Sequence, residues 1–191
     1  MDAVAHSIKP HRFTVADYHR MAEAGIFDED SRVELIRGQI IDMAAIGAPH
    51  LGIVNRLNRL LIPLLAGRAT LSVQNPVRLD DGSEPVPDFA VLRLRADDYV
   101  TVTPSAPDTL LLIEVSDTTI KFDRAVKAPL YAETGIPEFW IVNISEAVIE
   151  VYRRPQGDAY AEIDRAVRGR TLPIPALPGV TIAVADIFPG S

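Results

Sequence analysis

The chain has 191 residues, 48 per cent of them apolar, a formal charge of −7 and no cysteine. The length suits one domain of about 100–200 residues, and the missing thiols exclude a disulfide framework, a thiolate zinc site and cysteine nucleophile chemistry. No apolar run approaches the ~20 residues that span a bilayer, and the excess of acid argues against broad electrostatic attraction to nucleic acid.

The opening MDAVAHSIKP lacks a charged stretch followed by an apolar one. No signal peptide is therefore expected, and the chain reads as cytoplasmic with no membrane partner. Residues 1–12 carry few apolar anchors and are expected to be a flexible N-terminal arm ahead of a single domain over 13–191. Thr14 can cap a short helix, with Asp17 three residues on and Gly25 as its stop. Arg32–Ala44 reads as two strands meeting at Arg37-Gly38. From about His50, Leu51, Val54, Leu57, Leu61 and Leu65 recur at helical spacing, and Pro63 is expected to kink or shorten that helix.

After Gly67 the period changes to two, which predicts strands over Leu71–Leu79 and Val86–Leu92 joined around Asp80-Asp81-Gly82. Thr109–Val115 is nearly all apolar, the mark of a strand buried on both faces. Asp123 is placed to cap the next helix, which ends near Thr134 before Gly135 and Pro137 and has Pro129 inside it. Strands over Glu138–Val142, Ala147–Tyr152 and Tyr160–Val167, a Pro-rich stretch and a last strand over Val180–Val184 close the chain. Mixed α/β with one central sheet is the packing solution this order predicts.

Two carboxylates interrupt apolar strands. Asp88 sits in V-P-D-F-A-V-L and Glu114 in L-L-L-I-E-V, where an unpaired carboxylate would cost several kcal/mol or protonate. Alternation puts Asp88 on one face with Val86 and Ala90, and Glu114 with Leu112 and Ser116, so neighbouring strands would bring both acids to one point. Two hard oxygen ligands with room for waters describe a Mg²⁺ site. The bland alternative is an acid at a strand end that meets a backbone amide or an arginine. Lysine is scarce, at 3 positions, and Lys121 and Lys127 both follow Glu114 closely. Helical spacing puts Lys127, Leu130, Tyr131 and Thr134 on one stripe, so Lys127 either points toward the end of the Glu114 strand or pairs at the surface with Asp123, worth only ~0.3–0.5 kcal/mol.

The chain resembles the Uma2 family of restriction-endonuclease-like proteins, a branch of the PD-(D/E)xK nuclease superfamily. The resemblance runs in order through T-V-A-D-Y, R-V-E-L-I-R-G-Q-I-I-D-M, A-P-H, V-P-D-F-A-V-L, L-L-L-I-E-V-S, D-R-A-V-K-A-P-L-Y-A-E-T-G-I-P-E-F-W and L-P-G-V-T-I-A-V-A-D-I-F, covering about Thr14–Phe188. It implies an α/β restriction-endonuclease-like core, a central mixed β-sheet flanked by helices, and hydrolysis of DNA phosphodiester bonds. Mg²⁺, or Mn²⁺ in its place, would be held by Asp88, Glu114 and the Val115 carbonyl. Ser116 stands where the superfamily has its lysine; in this family that lysine comes from the following helix, which selects Lys127 as the assisting cation. Glu34 matches a further acidic catalytic position, its alternative being an outward-facing hairpin acid. His50 matches a position at the helix start, where a lone histidine more often makes a helix-start hydrogen bond than does chemistry. The resemblance also implies a homodimer.

Two features depart from an active nuclease. Pro129 removes an amide two residues after Lys127, and a kink there would misaim the lysine. The −7 charge is also unlike a phosphate-binding groove, although Arg56, Arg59, Arg68, Lys121, Arg124 and Lys127 could form a basic lip if they share a face. A catalytically inactive dimeric member that binds a partner is the alternative these features favour. A two-carboxylate sugar hydrolase is a third reading, weakened by the single Trp.

Overall fold

The computed structural model describes residues 9–28 and 30–188. Most of the expected arm, residues 1–8, lies outside them; of its remainder, Arg12 Nη1 donates to Arg37 O at 2.9 Å. The first helix, α1 (Val15–Glu23), begins as its sequence dictates. Thr14 is extended, its hydroxyl accepts the Asp17 N–H at 3.1 Å, and Asp17 returns a bond to the Thr14 N–H, a complete capping box.

Strands β1 (Val33–Ile36) and β2 (Gln39–Asp42) pair antiparallel with Ile36 opposite Gln39. Arg37 and Gly38 between them both have positive φ, +50° and +72°, as a two-residue hairpin requires. Gly38 is also forced by packing: a Cβ there would lie 2.8 Å from that of Arg12. Helix α2 (Ala48–Leu65) follows, longer than its apolar stripe suggested at the start and running through Pro63 to Leu65.

The main sheet has six strands in the order β3-β4-β5-β6-β7-β8. These are β3 (Thr70–Val73), β4 (Phe89–Leu92), β5 (Thr109–Ser116), β6 (Glu138–Asn143), β7 (Val148–Gln156) and β8 (Ala159–Ala166). All neighbours are antiparallel except β5 and β6, which are parallel and joined by a helical crossover, the connection that parallel strands need. The two strands expected over Leu71–Leu79 and Val86–Leu92 are shorter than their pattern. Gln74 turns to φ +52° and ends β3, and the residues from 77 to 84 make only single bridges. The Pro-rich tail contributes β9 (Thr171–Pro173), which pairs with β10 (Thr181–Ala183) in a separate ribbon before the short helix α5 (Val184–Ile187).

Burial divides by the parity of the strand positions. Phe89, Val91, Leu111, Ile113 and Val115 face α2, whose Ile53, Val54, Leu57, Leu61 and Leu65 complete that layer. Ala90, Leu92 and Leu112 face the opposite layer with Leu130, Tyr131 and Ala132. β5 is buried along its whole length, so its two polar residues near the carboxyl end, Glu114 and Ser116, stand on that second face with Leu112.

The crossover is where the sequence reading needs correcting. Its helix starts at Ile120, not at Asp123: α3 (Ile120–Phe122) runs into a π turn over Asp123–Lys127 and then α4 (Ala128–Glu133). Asp123 is therefore inside the helix and is not its cap. The Ala128 N–H bonds back five residues to Asp123 O. That wider turn makes room for the Pro129 ring, and Pro129 then sits in the first turn of α4, where a missing N–H needs no partner. The expected misaiming of Lys127 does not occur.

Candidate active site

Asp88 lies one residue before β4. Because Phe89 is paired with Ile113 in an antiparallel ladder, the register sets Asp88 opposite Glu114. The two carboxylates share the floor of a cavity of ≈ 360 Å³, whose lining also includes Glu34, His50, Val115 and Lys127. β5 and β4 thus place the acids, the β1 hairpin adds Glu34, α2 adds His50 and the crossover adds Lys127.

Asp88 is held by three donors. The Val115 N–H donates to Oδ2 at 2.8 Å, His50 Nε2 lies 3.1 Å from the same oxygen, and Gln74 Nε2 donates to Oδ1 at 3.1 Å. Burial alone would push its carboxyl up, but His50, the Val115 amide and Gln74 outweigh that and hold it below the usual carboxylate range. His50 therefore serves the carboxylate and makes no helix-start hydrogen bond. Its Nδ1 is buried with no hydrogen-bond partner among the described residues.

Glu114 takes the Lys127 ammonium at 2.9 Å and the Tyr131 hydroxyl at 2.8 Å, both on Oε1. Lys127 and Tyr131 stand four residues apart on one helical stripe, so a single oxygen can meet both. Lys127 Nζ also lies 3.3 Å from Glu34 Oε2, which accepts the Val86 N–H at 3.1 Å. Glu34 is thus an inward acid, not an outward one. Desolvation disfavours the Lys127 charge, but Glu114, Glu34 and Asp123 overcome it and keep the ammonium protonated. Burial pushes Glu114 the other way, upward, with Lys127 opposing it and Asp123, Asp88 and Glu34 adding to it.

Asp123, expected as a helix cap, is a further buried acid that lines the cavity. Asp123 Oδ2 accepts the Ser116 hydroxyl at 2.5 Å and that of Thr119 at 2.8 Å. Ser116 thereby fastens β5 to the helix that carries Lys127. The anticipated basic lip does not form around the cavity: Arg59 and Lys121 are exposed but do not line it, and the other four are engaged or buried. Arg56 donates to Asp186 O and Arg68 to Pro178 O, Arg124 pairs with Glu150 on β7, and Lys127 is buried. Charged side chains lining the cavity are instead mostly acidic: Glu34, Asp42, Asp88, Glu114, Asp117 and Asp123 against Arg32 and Lys127.

The donor set fits a hard divalent cation. Asp88 has used three of about four lone-pair sites on its carboxylate. Both hydrogen bonds to Glu114 fall on Oε1, which leaves Oε2 for another ligand. Among the described residues no three His, Asp or Glu side chains converge into a cage. Two carboxylates with the remaining positions left to water is the Mg²⁺ habit, not that of Zn²⁺ or a buried Ca²⁺.

Residues 15–185 match the model of the Uma2 family, described as "Putative restriction endonuclease". The chain belongs to that family. Among solved structures it is similar to one titled a "putative nuclease belonging to DUF820" from Anabaena variabilis ATCC 29413, at a TM-score of 0.73 and 16% identity, over 92% of this chain and 97% of that one. No curated protein matches. The Uma2 fold assembles its site here from separate stretches of chain. Gln74 and Tyr131 carried no sequence signal of their own as site residues, although the spacing of Tyr131 from Lys127 would have found it. Among the described residues no helix is long and apolar enough to cross a membrane.

Proposed function

We propose that the chain is a metal-dependent nuclease that hydrolyses DNA phosphodiester bonds, with Mg²⁺ held by Asp88, Glu114 and the Val115 carbonyl and with Mn²⁺ able to replace it. The observation that carries this reading is the convergence of Asp88 and Glu114 on one acidic cavity with Lys127 bonded to Glu114. When bound, the cation polarises a phosphodiester and acidifies water, and its charge offsets the carboxylates around it.

The protein's own groups do the rest. His50, Gln74 and the Val115 amide fix the Asp88 carboxylate in one orientation. Lys127 has three N–H donors; Glu114 and Glu34 occupy two directions, and the third is available to a phosphate oxygen in the cavity. There it can stabilise charge that builds on phosphorus. Glu34, tied to the Val86 amide, acts as a positioning residue for the ammonium. Pro129 argued for an inactive member of the fold, and the π turn before it leaves Lys127 on Glu114.

Thermal melting tests the metal. At a concentration one hundred times Kd, a ligand of the folded state adds about 2.7 kcal/mol. For a chain of this length that raises Tm by roughly 5–10 °C. Mg²⁺ or Mn²⁺ is expected to give that rise in the wild type and none in Asp88→Asn. A melting curve that ignores both ions, or that rises equally in the variant, rejects the assignment.

A further inference from the structure

We propose that the site takes an unpaired nucleic-acid strand rather than an intact duplex, with the scissile phosphate on the Asp88–Glu114 floor and a splayed base stacked on Phe122. The proposal deepens the nuclease reading and rests on it.

Depth is the first reason. Asp88, Glu114 and Lys127 are only 9%, 4% and 5% exposed. The cavity is walled on one side by the stretch from Asp42 to Gly47 and on the other by the stretch that holds Asp117 and Phe122. These walls come near each other at Gly47, where a side chain would reach Asp117: a Cβ built there would lie 3.8 Å from its Oδ2. Duplex DNA carries its phosphates on the outside of a stiff cylinder, along grooves about 6 and 12 Å wide. Such a cylinder meets open surfaces and is poorly matched to lowering one phosphate into a cleft with near walls. A single strand can do so.

Charge is the second. A duplex brings one negative charge per ~1.7 Å of axis, a single strand one per ~3.4 Å. A bound cation can compensate the reacting phosphate, but the neighbouring phosphates meet Asp42 and Asp117 with only Arg32 among the exposed lining cations. Three arginines of the anticipated lip are engaged elsewhere, Arg56 and Arg68 with carbonyls of the C-terminal segment and Arg124 with Glu150, and neither Arg59 nor Lys121 lines the cavity. Halving the phosphate density lowers that repulsion directly.

The third is the character of the wall. Phe122, Ile41, Met43 and Ile46 line the same cavity, and Ile46 is 42% exposed. An aromatic ring beside aliphatic side chains has nothing to offer a phosphate but suits the face of an unstacked base. Bases inside a duplex have both faces covered by their neighbours.

The test uses end-labelled oligonucleotides with Mg²⁺ or Mn²⁺: one strand alone, the same strand in a full duplex, and the duplex with an unpaired bubble. The strand and the bubble are expected to be cut with kcat/KM at least about tenfold above the duplex. Phe122→Ala and Phe122→Leu are each expected to raise KM for the single strand about tenfold with little change in kcat; the leucine variant keeps the wall apolar, so a loss there reports stacking and not packing. Duplex cut as fast as the single strand, or a KM untouched in both variants, overturns this inference and leaves the nuclease standing. No cleavage of any of the three overturns both.

Discussion

Asp88→Asn and Glu114→Gln are each expected to lower metal-dependent cleavage by about 10³-fold or more, because each removes a full charge from the pair that holds the cation while keeping the side chain's shape. The two variants should differ in stability. In Asp88→Asn an amide group faces donors on both sides, the Val115 N–H and His50 on one oxygen and Gln74 on the other. The Asn oxygen can keep the Val115 N–H and His50, and Gln74 can turn its own amide oxygen to the new N–H, so what is lost is the charge on these hydrogen bonds, at a cost of about 1–3 kcal/mol. In Glu114→Gln the new amide can still accept from Lys127 and Tyr131 through its carbonyl oxygen, so this variant should lose activity with less loss of stability. Urea unfolding followed by Trp140 fluorescence separates the effects, since that buried indole, bonded to Glu138 at 2.7 Å, reports the sheet and lies outside the site. Cleavage retained in either variant would sink the assignment of the pair.

Lys127→Ala is expected to destabilise the fold by about 3–5 kcal/mol as well as to silence it. The ammonium is the partner of Glu114 at 2.9 Å and of Glu34 at 3.3 Å, both acids are 3–4% exposed, and without it two carboxylates face each other in a dry place. The loss should shrink as pH falls. Burial already pushes Glu114 up, and in the variant no cation opposes it, so its folded-state pKa stands above its unfolded one. The native state then binds the proton more readily than the unfolded chain, so the penalty grows as pH rises from the ordinary carboxylate range through the raised folded-state value and fades on acidification toward that range. The triple replacement Lys127→Met, Glu114→Gln, Glu34→Gln removes every charge of the knot, and it should recover most of the stability and none of the activity. A Lys127→Ala protein as stable as wild type at pH 7, or equally destabilised at pH 5, would show that the ion pair does not contribute as described.

The positions of Asp88, Glu114 and Lys127 were legible because each breaks a pattern. An acid in an apolar strand and a rare lysine on a helical stripe stand out against period two and period 3.6. Glu34 was half legible: alternation within β1 allows either face, and only the hairpin's packing turns it inward. His50 and Gln74 were legible as polar residues but not in role, since their partner Asp88 is 38 and 14 residues away in sequence. The π turn was not legible at all. A helix with Pro129 reads as an α-helix with a fault, and nothing local says that the chain solves it by widening the preceding turn. Short β3 was missed for a similar reason: the apolar alternation continues to Leu79, but Gln74 adopts φ +52° to reach Asp88 and breaks the ladder first.

Carrying Lys127 on the crossover, while Glu114 stands on β5, has a thermodynamic consequence. With acids and lysine on one strand, the constellation would persist as long as the sheet did. Here the cation rides on a helix fastened to β5 by Ser116–Asp123 at one end and by Lys127 and Tyr131 on Glu114 at the other. Undocking that helix would part Lys127 from the acids while the six strands stay paired, so the assembled site can be rarer than the folded state. Amide hydrogen exchange resolves the two: the amides of Ala128–Glu133 are expected to open more readily than those of Thr109–Ser116, and equal protection would show that site and sheet melt as one unit.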